Sequence, residues 1–114
     1  MQTVIETSLF SRQAADVLTA LEKDELIAYL AANPVAGDLI PGTGGIRKLR
    51  WSAGGKGTRG GARVIYYAYD NWNPIYALSV YAKAQASDLS AAEKRALSKL
   101  TAALKIELTA KRQK

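Results

Sequence analysis

IRKLRWSAGGKGTRGGARVIYYAYDNWNPIYALSVYAK, residues 46–83, holds three runs of β-forming residues separated by two sets of chain breakers. The runs are Ile46–Trp51, Ala62–Asp70 and Ile75–Lys83. Branched and aromatic residues dominate them, as suits half-buried pleated strands. The first break is the glycine-rich SAGGKGTRGG and the second is Asn71-Trp72-Asn73-Pro74, so the joined runs read as antiparallel hairpins. Side chains alternate along a strand, and one parity collects Leu49, then Val64, Tyr66 and Ala68, then Leu78, Val80 and Ala82. The other parity carries Lys48 and Arg50, then Arg63, Ile65 and Tyr67, then Ser79, Tyr81 and Lys83. A sheet is expected with an apolar inner face and a cationic, tyrosine-bearing open face.

Working outward, Thr3–Thr7 reads as a first strand. Ser11 is the expected N-cap of a helix carrying Ala14, Val17, Leu18 and Leu21 at helical spacing. A second helix is expected from about Lys23 to Ala32, with Leu26, Ile27 and Leu30 on one side. Asn33-Pro34 ends it, because the residue before proline is pushed out of the α region. GDLIPGTGG, residues 37–45, reads as loop. Beyond the strands, Asp88 and Ser90 precede the periodic Ala96, Leu97, Leu100, Leu104 and Leu108. Ser90 and Glu93 have capping-box spacing and mark the start of a terminal helix, with residues 109–114 expected to fray. The order β-α-α-β-β-β-α describes a single α+β domain over residues 1–114. Its antiparallel sheet has about four strands and packs its helices on one face.

The charge is as unevenly spread as the strands. From Arg47 to Lys83 stand seven cations (Arg47, Lys48, Arg50, Lys56, Arg59, Arg63, Lys83) against one acid, Asp70. That segment carries the chain's entire net charge of +6, and the nine bases and nine acids elsewhere cancel. A surface shaped only by solubility mixes its signs. Cations clustered among Trp51, Tyr66, Tyr67, Tyr69, Trp72, Tyr76 and Tyr81 suit a polyanion, and phosphate backbones reward such clusters through counterion release. The chain has no cysteine and no histidine, which excludes disulfides, thiolate nucleophiles, Ser-His-Asp triads and imidazole acid–base pairs. No metal or cofactor is expected. MQTVIETSLF lacks the layout of a signal peptide, and no apolar run approaches spanning length, so a cytoplasmic place without a membrane partner is expected.

Individual motifs carry less. Gly55-Lys56-Gly57-Thr58-Arg59-Gly60 fits a dinucleotide-binding pattern, but a strand follows it where a helix is required. A Walker loop fails as well, since Lys56 is followed by Gly57 and position 50 is Arg50. The segment reads either as a flexible loop that only joins two strands or as an arm that presents Lys56 and Arg59 to a phosphate backbone. Tyr66 and Tyr76 are expected in or near the core, whereas Tyr67 and Tyr81 have the outward parity for stacking on a base. Trp51 and Trp72 read as packing or turn residues. Glu22, Asp24 and Glu25 sit at a helix start, where negative charge complements the macrodipole, and do not form a catalytic pair.

GDLIPGTGGIRKLRW, RGGARVIYYAYD, IYALSVYAK and the helix start DLSAAEKRALSKL together resemble the RelE/ParE toxin superfamily of bacterial type II toxin–antitoxin systems, within it the HigB-like branch. The resemblance spans roughly residues 38–100. It implies a metal-independent endoribonuclease that enters the ribosomal A site and cuts translated mRNA, so inhibiting translation. It also implies a cognate antitoxin partner. The family's basic positions fall on Lys48, Arg50, Arg63 and Lys83, with Arg47 also inside the motif but turned by parity toward the helices. Some members use a tyrosine just after the last strand, and Gln85–Leu89 contains none.

In such an enzyme the ribose 2′-hydroxyl attacks the neighbouring phosphorus. The protein must then deprotonate that hydroxyl, stabilise the charge-rich transition state and protonate the leaving 5′ oxygen. The catalytic set is expected to be Arg63 stabilising the phosphate with Arg50 assisting, Lys48 as base and Lys83 as acid or clamp, with Tyr81 in reserve. Arg47, Lys56, Arg59, Tyr67 and Tyr81 are the expected RNA contacts. Two other readings share the fold or the charge: a ParE-like, non-enzymatic inhibitor of DNA gyrase, and a non-catalytic RNA-binding module.

Overall fold

A computed structural model describes residues 2–54, 61–83 and 89–112. Its elements run β1 (Val4–Glu6), α1 (Ser8–Val17), α2 (Ala20–Ala32), β2 (Asp38–Leu39), β3 (Ile46–Trp51), β4 (Ala62–Tyr67), β5 (Ile75–Ala82) and α3 (Ala91–Arg112). The α+β class is as expected. The sheet, however, has five strands in the order β1-β5-β4-β3-β2, and β1 lies parallel to β5, so the sheet is mixed. The additional strand is β2, inside the segment read as loop. Asp38 pairs with Lys48 and Leu39 with Arg47, and Ile40 N–H donates to the Ile46 carbonyl at 2.8 Å to close the hairpin.

The helix starts lie upstream of the expected ones, and the capping chemistry shows why. Thr7, not Ser11, caps α1: its hydroxyl accepts from Phe10 N–H at 3.2 Å, while Ser11 already lies within the helix. Thr19 and Glu22 form a reciprocal capping box at the head of α2, which therefore begins at Ala20 rather than near Lys23. The Ser90–Glu93 box opens α3 as expected, at 2.8 and 3.1 Å. Asp88 lies outside the described residues. The terminal segment expected to fray stays helical to Arg112, and the Thr109 hydroxyl meets that of Tyr69 at 2.9 Å.

Helices cover both faces of the sheet, not one. Phe10, Ala14, Val17 and Leu18 of α1 and its end, with Leu26 and Leu30 of α2, pack on Leu49, Val64, Tyr66, Ile75, Ala77 and Val80. On the opposite face Leu108 of α3, flanked by Leu97 and Leu104, packs on Ile46, Ile65, Tyr67 and Leu78. Leu78 thus sits opposite to its expected side. A bulge causes this: Ile65 pairs with Ser79 but Tyr66 with Ala77, so Leu78 is skipped and the parity of β5 changes there. Past the end of β1, the Gln13 side-chain oxygen accepts from Val80 N–H at 3.0 Å and from the Ser79 hydroxyl at 2.9 Å. Beside the bulge, α1 thus supplies a partner that no strand provides.

Candidate functional site

Three strands bring the cations together. Arg50 of β3 pairs directly with Arg63 of β4, and Arg63 with Tyr81 of β5. Cross-strand partners share a face, so these three form one row. Two residues along, about 7 Å at the usual strand rise, a second row runs Asp38, Lys48, Ile65 and Ser79. Lys83 follows β5 and extends the pairing through its N–H to the Gly61 carbonyl at 3.2 Å.

Lys48, Arg50, Arg63 and Lys83 line one cleft of about 440 Å³, together with Ala36, Asp38 and Leu49. Arg50, Arg63 and Lys83 also line a second lobe of about 730 Å³, bounded by Glu22, Trp51, Ser52, Ala53, Gly54 and Gly61. The three cations therefore stand where the lobes meet. Arg63 is only 7% exposed, with one guanidinium nitrogen donating to the Ala62 carbonyl at 3.2 Å, whereas Arg50 and Lys83 are exposed. Taking a guanidinium out of water is costly, and facing it with a like charge across the strand adds to that cost. An anion between Arg50 and Arg63 relieves the second term.

The walls are held by backbone contacts. Gly61 has φ +73°, and a Cβ there would lie 2.7 Å from the Trp51 carbonyl oxygen, so only glycine fits. Glu22 spans from α2 to the end of β3: one carboxylate oxygen accepts from Thr19 N–H at 2.8 Å and the other from Gly54 N–H at 2.9 Å. On the other side the segment before β2 is pinned twice. The Arg47 guanidinium donates to the Gly37 carbonyl at 2.7 Å. The Tyr66 hydroxyl accepts from Gly37 N–H and donates to the Pro34 carbonyl, each at 2.9 Å. Burial raises the pKa of that hydroxyl, opposed by the Gly37 hydrogen bond and the Arg47 charge.

Several expected RNA contacts stand elsewhere. Arg47 points to the α1/α2 side of the sheet and is committed to the Gly37 carbonyl, so it braces the cleft instead of lining it. Tyr67 is 2% exposed beneath α3 and cannot stack on a base. The expectation failed because it took this face as open. Burial, and then the nearby Tyr69 and Asp70, push the Tyr67 hydroxyl up to about 12. Tyr81 shares the Arg63 row but is half-buried against the α3 core, with its hydroxyl shut off from solvent. Lys56, Arg59 and most of Gln85–Leu89 lie outside the described residues.

Cleft residues that were not expected include Asp38, Glu22 and Trp51. Asp38 had a signal, since Pro41-Gly42 and Gly44-Gly45 between Leu39-Ile40 and Ile46 are hairpin dipeptides. Glu22 had one too, three residues after Thr19. Among the described residues no group of three or more His, Cys, Asp and Glu side chains could hold a metal ion, and no helix is long and apolar enough to cross a membrane. No protein-family model matches the sequence.

Proposed function

We propose that this chain is a ribosome-dependent endoribonuclease that cuts translated mRNA, the toxin of a type II toxin–antitoxin pair. The observation that supports it is the single cleft lined by Lys48, Arg50, Arg63 and Lys83. Arg63 and Arg50 grip the non-bridging oxygens of one phosphodiester, which gain charge as the 2′ oxygen attacks. Lys83, which lines both lobes, protonates the departing 5′ oxygen. The strand running to either side of that phosphate lies in the two lobes. The products are a 2′,3′-cyclic phosphate and a 5′-hydroxyl, and the cognate antitoxin keeps the cleft from the ribosome.

A gyrase-blocking role does not need like charges facing each other in a cleft, and a plain RNA-binding module does not need a nearly buried arginine between two lobes. Induction in cells separates these readings. Incorporation of labelled amino acids should stop before plasmid supercoiling changes, and Arg63→Ala should remove that arrest. Arg63→Lys, which keeps the charge but not the bidentate fork, should lower the cutting rate about 10²-fold or more. Supercoiling lost first, with translation intact, would instead identify a gyrase inhibitor.

A further inference from the structure

We infer that Asp38 is the general base of the cleft, the group that takes the 2′-hydroxyl proton as that oxygen attacks phosphorus. The inference rests on the nuclease reading and supplies the role that reading fills least well. An ammonium or guanidinium group offers donors and no acceptor, so four cations cannot receive a proton while charged. A carboxylate can.

Asp38 is in position to do so. It pairs with Lys48 across β2 and β3, so its side chain leaves the sheet on the cationic face, and it lines the same cleft as Lys48, Arg50, Arg63 and Lys83. It is exposed, and among the described residues no group donates a hydrogen bond to its carboxylate. The charged groups facing it are Lys48 and Arg50 of β3, Arg63 of β4 and Lys83 after β5, with the Tyr66 hydroxyl behind it.

The fold spends several contacts on a strand of only two residues. Arg47 and Tyr66 grip the backbone at Gly37 from two directions. Gly37 itself has no room for a Cβ, which would lie 2.9 Å from the Lys48 carbonyl oxygen and 3.0 Å from the Tyr66 ring. The residue so fixed is the one immediately before Asp38. The other carboxylates nearby are engaged. Both oxygens of Glu22 accept backbone N–H groups. Asp70, beyond the far end of β4, accepts from Trp72 and Asn73 in its own turn.

The step balances. The 2′ oxygen forms its bond to phosphorus as its proton passes to Asp38, and the bond from phosphorus to the 5′ oxygen breaks as Lys83 protonates the leaving group. Proton exchange with water then resets both side chains.

Single-turnover cleavage of a defined message on translating ribosomes tests this with wild type, Asp38→Asn and Asp38→Glu. Asp38→Asn should melt within a few degrees of wild type, bind programmed ribosomes at least as tightly, and cut 10² to 10⁴ times more slowly. The acidic limb of the wild-type pH–rate profile should vanish in that variant and return in Asp38→Glu along with part of the rate. An Asp38→Asn rate within threefold of wild type, or a slow variant that keeps the acidic limb, overturns the assignment while the nuclease reading stands. Wild type leaving the message whole overturns both.

Discussion

Tyr67 and Arg50 stand on one face of the sheet, and their surroundings give them opposite consequences. Tyr67 is sealed beneath α3, and its hydroxyl has no hydrogen-bond partner among the described residues. Its pKa, raised from 10 to about 12, means that above pH 10 the unfolded chain releases this proton while the folded chain keeps it. The unfolded state then binds fewer protons, so stability falls between pH 10 and 12, by on the order of 2 kcal/mol if Tyr67 acts alone. Tyr67→Phe should remove most of that alkaline loss and cost nothing at pH 7, because it deletes a buried hydroxyl that gains no bond there. Melting temperatures at pH 7 and pH 11 decide it, and a Phe variant markedly less stable at pH 7 would show that the hydroxyl is bonded in solution. Arg50 is exposed and faces Arg63 across the strand. Arg50→Gln should therefore hold or raise the stability, by no more than about a few tenths of a kcal/mol given solvent screening, while cutting slows about tenfold or more. An equal fall in stability and activity would mean that Arg50 serves the fold.

At the scale of elements, what the sequence reveals depends on whether a signal is local. The three central strands were legible because their alternation and their glycine and Asn-Pro breaks lie within short windows, and Ile46–Trp51 falls where it was read. The Ser90–Glu93 box was legible for the same reason. Thr19–Glu22 carries the identical signal, but the apolar residues of α1 run through Leu18 almost to it, and the continuous run hid the boundary. Two features could not be read locally. β2 is two residues long and becomes a strand only by pairing with β3. The bulge at Ile65/Tyr66 depends on how β4 and β5 meet, and it reverses Leu78 without leaving a mark in the β5 sequence. Assigning α3 to the cationic face needed knowledge that Ile46, Ile65, Tyr67 and Leu78 form an apolar patch there, which the bulge concealed. The same uncertainty decided the site: Lys48, Arg50, Arg63 and Lys83 were readable from alternation, Asp38 only with β2 in place. At this scale Thr19→Ala should cost about 1 kcal/mol in chemical denaturation. It should also slow cutting, since the head of α2, from which Glu22 reaches Gly54, loses the hydroxyl that accepts from Glu22 N–H. Normal cutting in the destabilised variant would separate the cap from the cleft.

Across the whole molecule, the chain confines its net charge to one segment, and the fold gathers four of those cations at one end of a sheet whose faces are otherwise covered by helices. The residues outside that segment sum to zero charge, so under the proposed function approach to RNA has a direction. Binding to programmed ribosomes should weaken steeply as salt rises, with a slope of roughly two to four on a double-logarithmic plot if two to four phosphates are met. Arg50→Gln should lower that slope by about one, and a slope unchanged by the substitution would place the contact elsewhere. The decisive measurement is primer extension on a defined message, with and without translating ribosomes, for wild type and Arg63→Ala. The cleft described here predicts discrete cuts within the translated region from wild type on ribosomes, none from Arg63→Ala, and 5′-hydroxyl ends at the cut sites. Full-length extension from wild type, or the same cuts from Arg63→Ala, would contradict it.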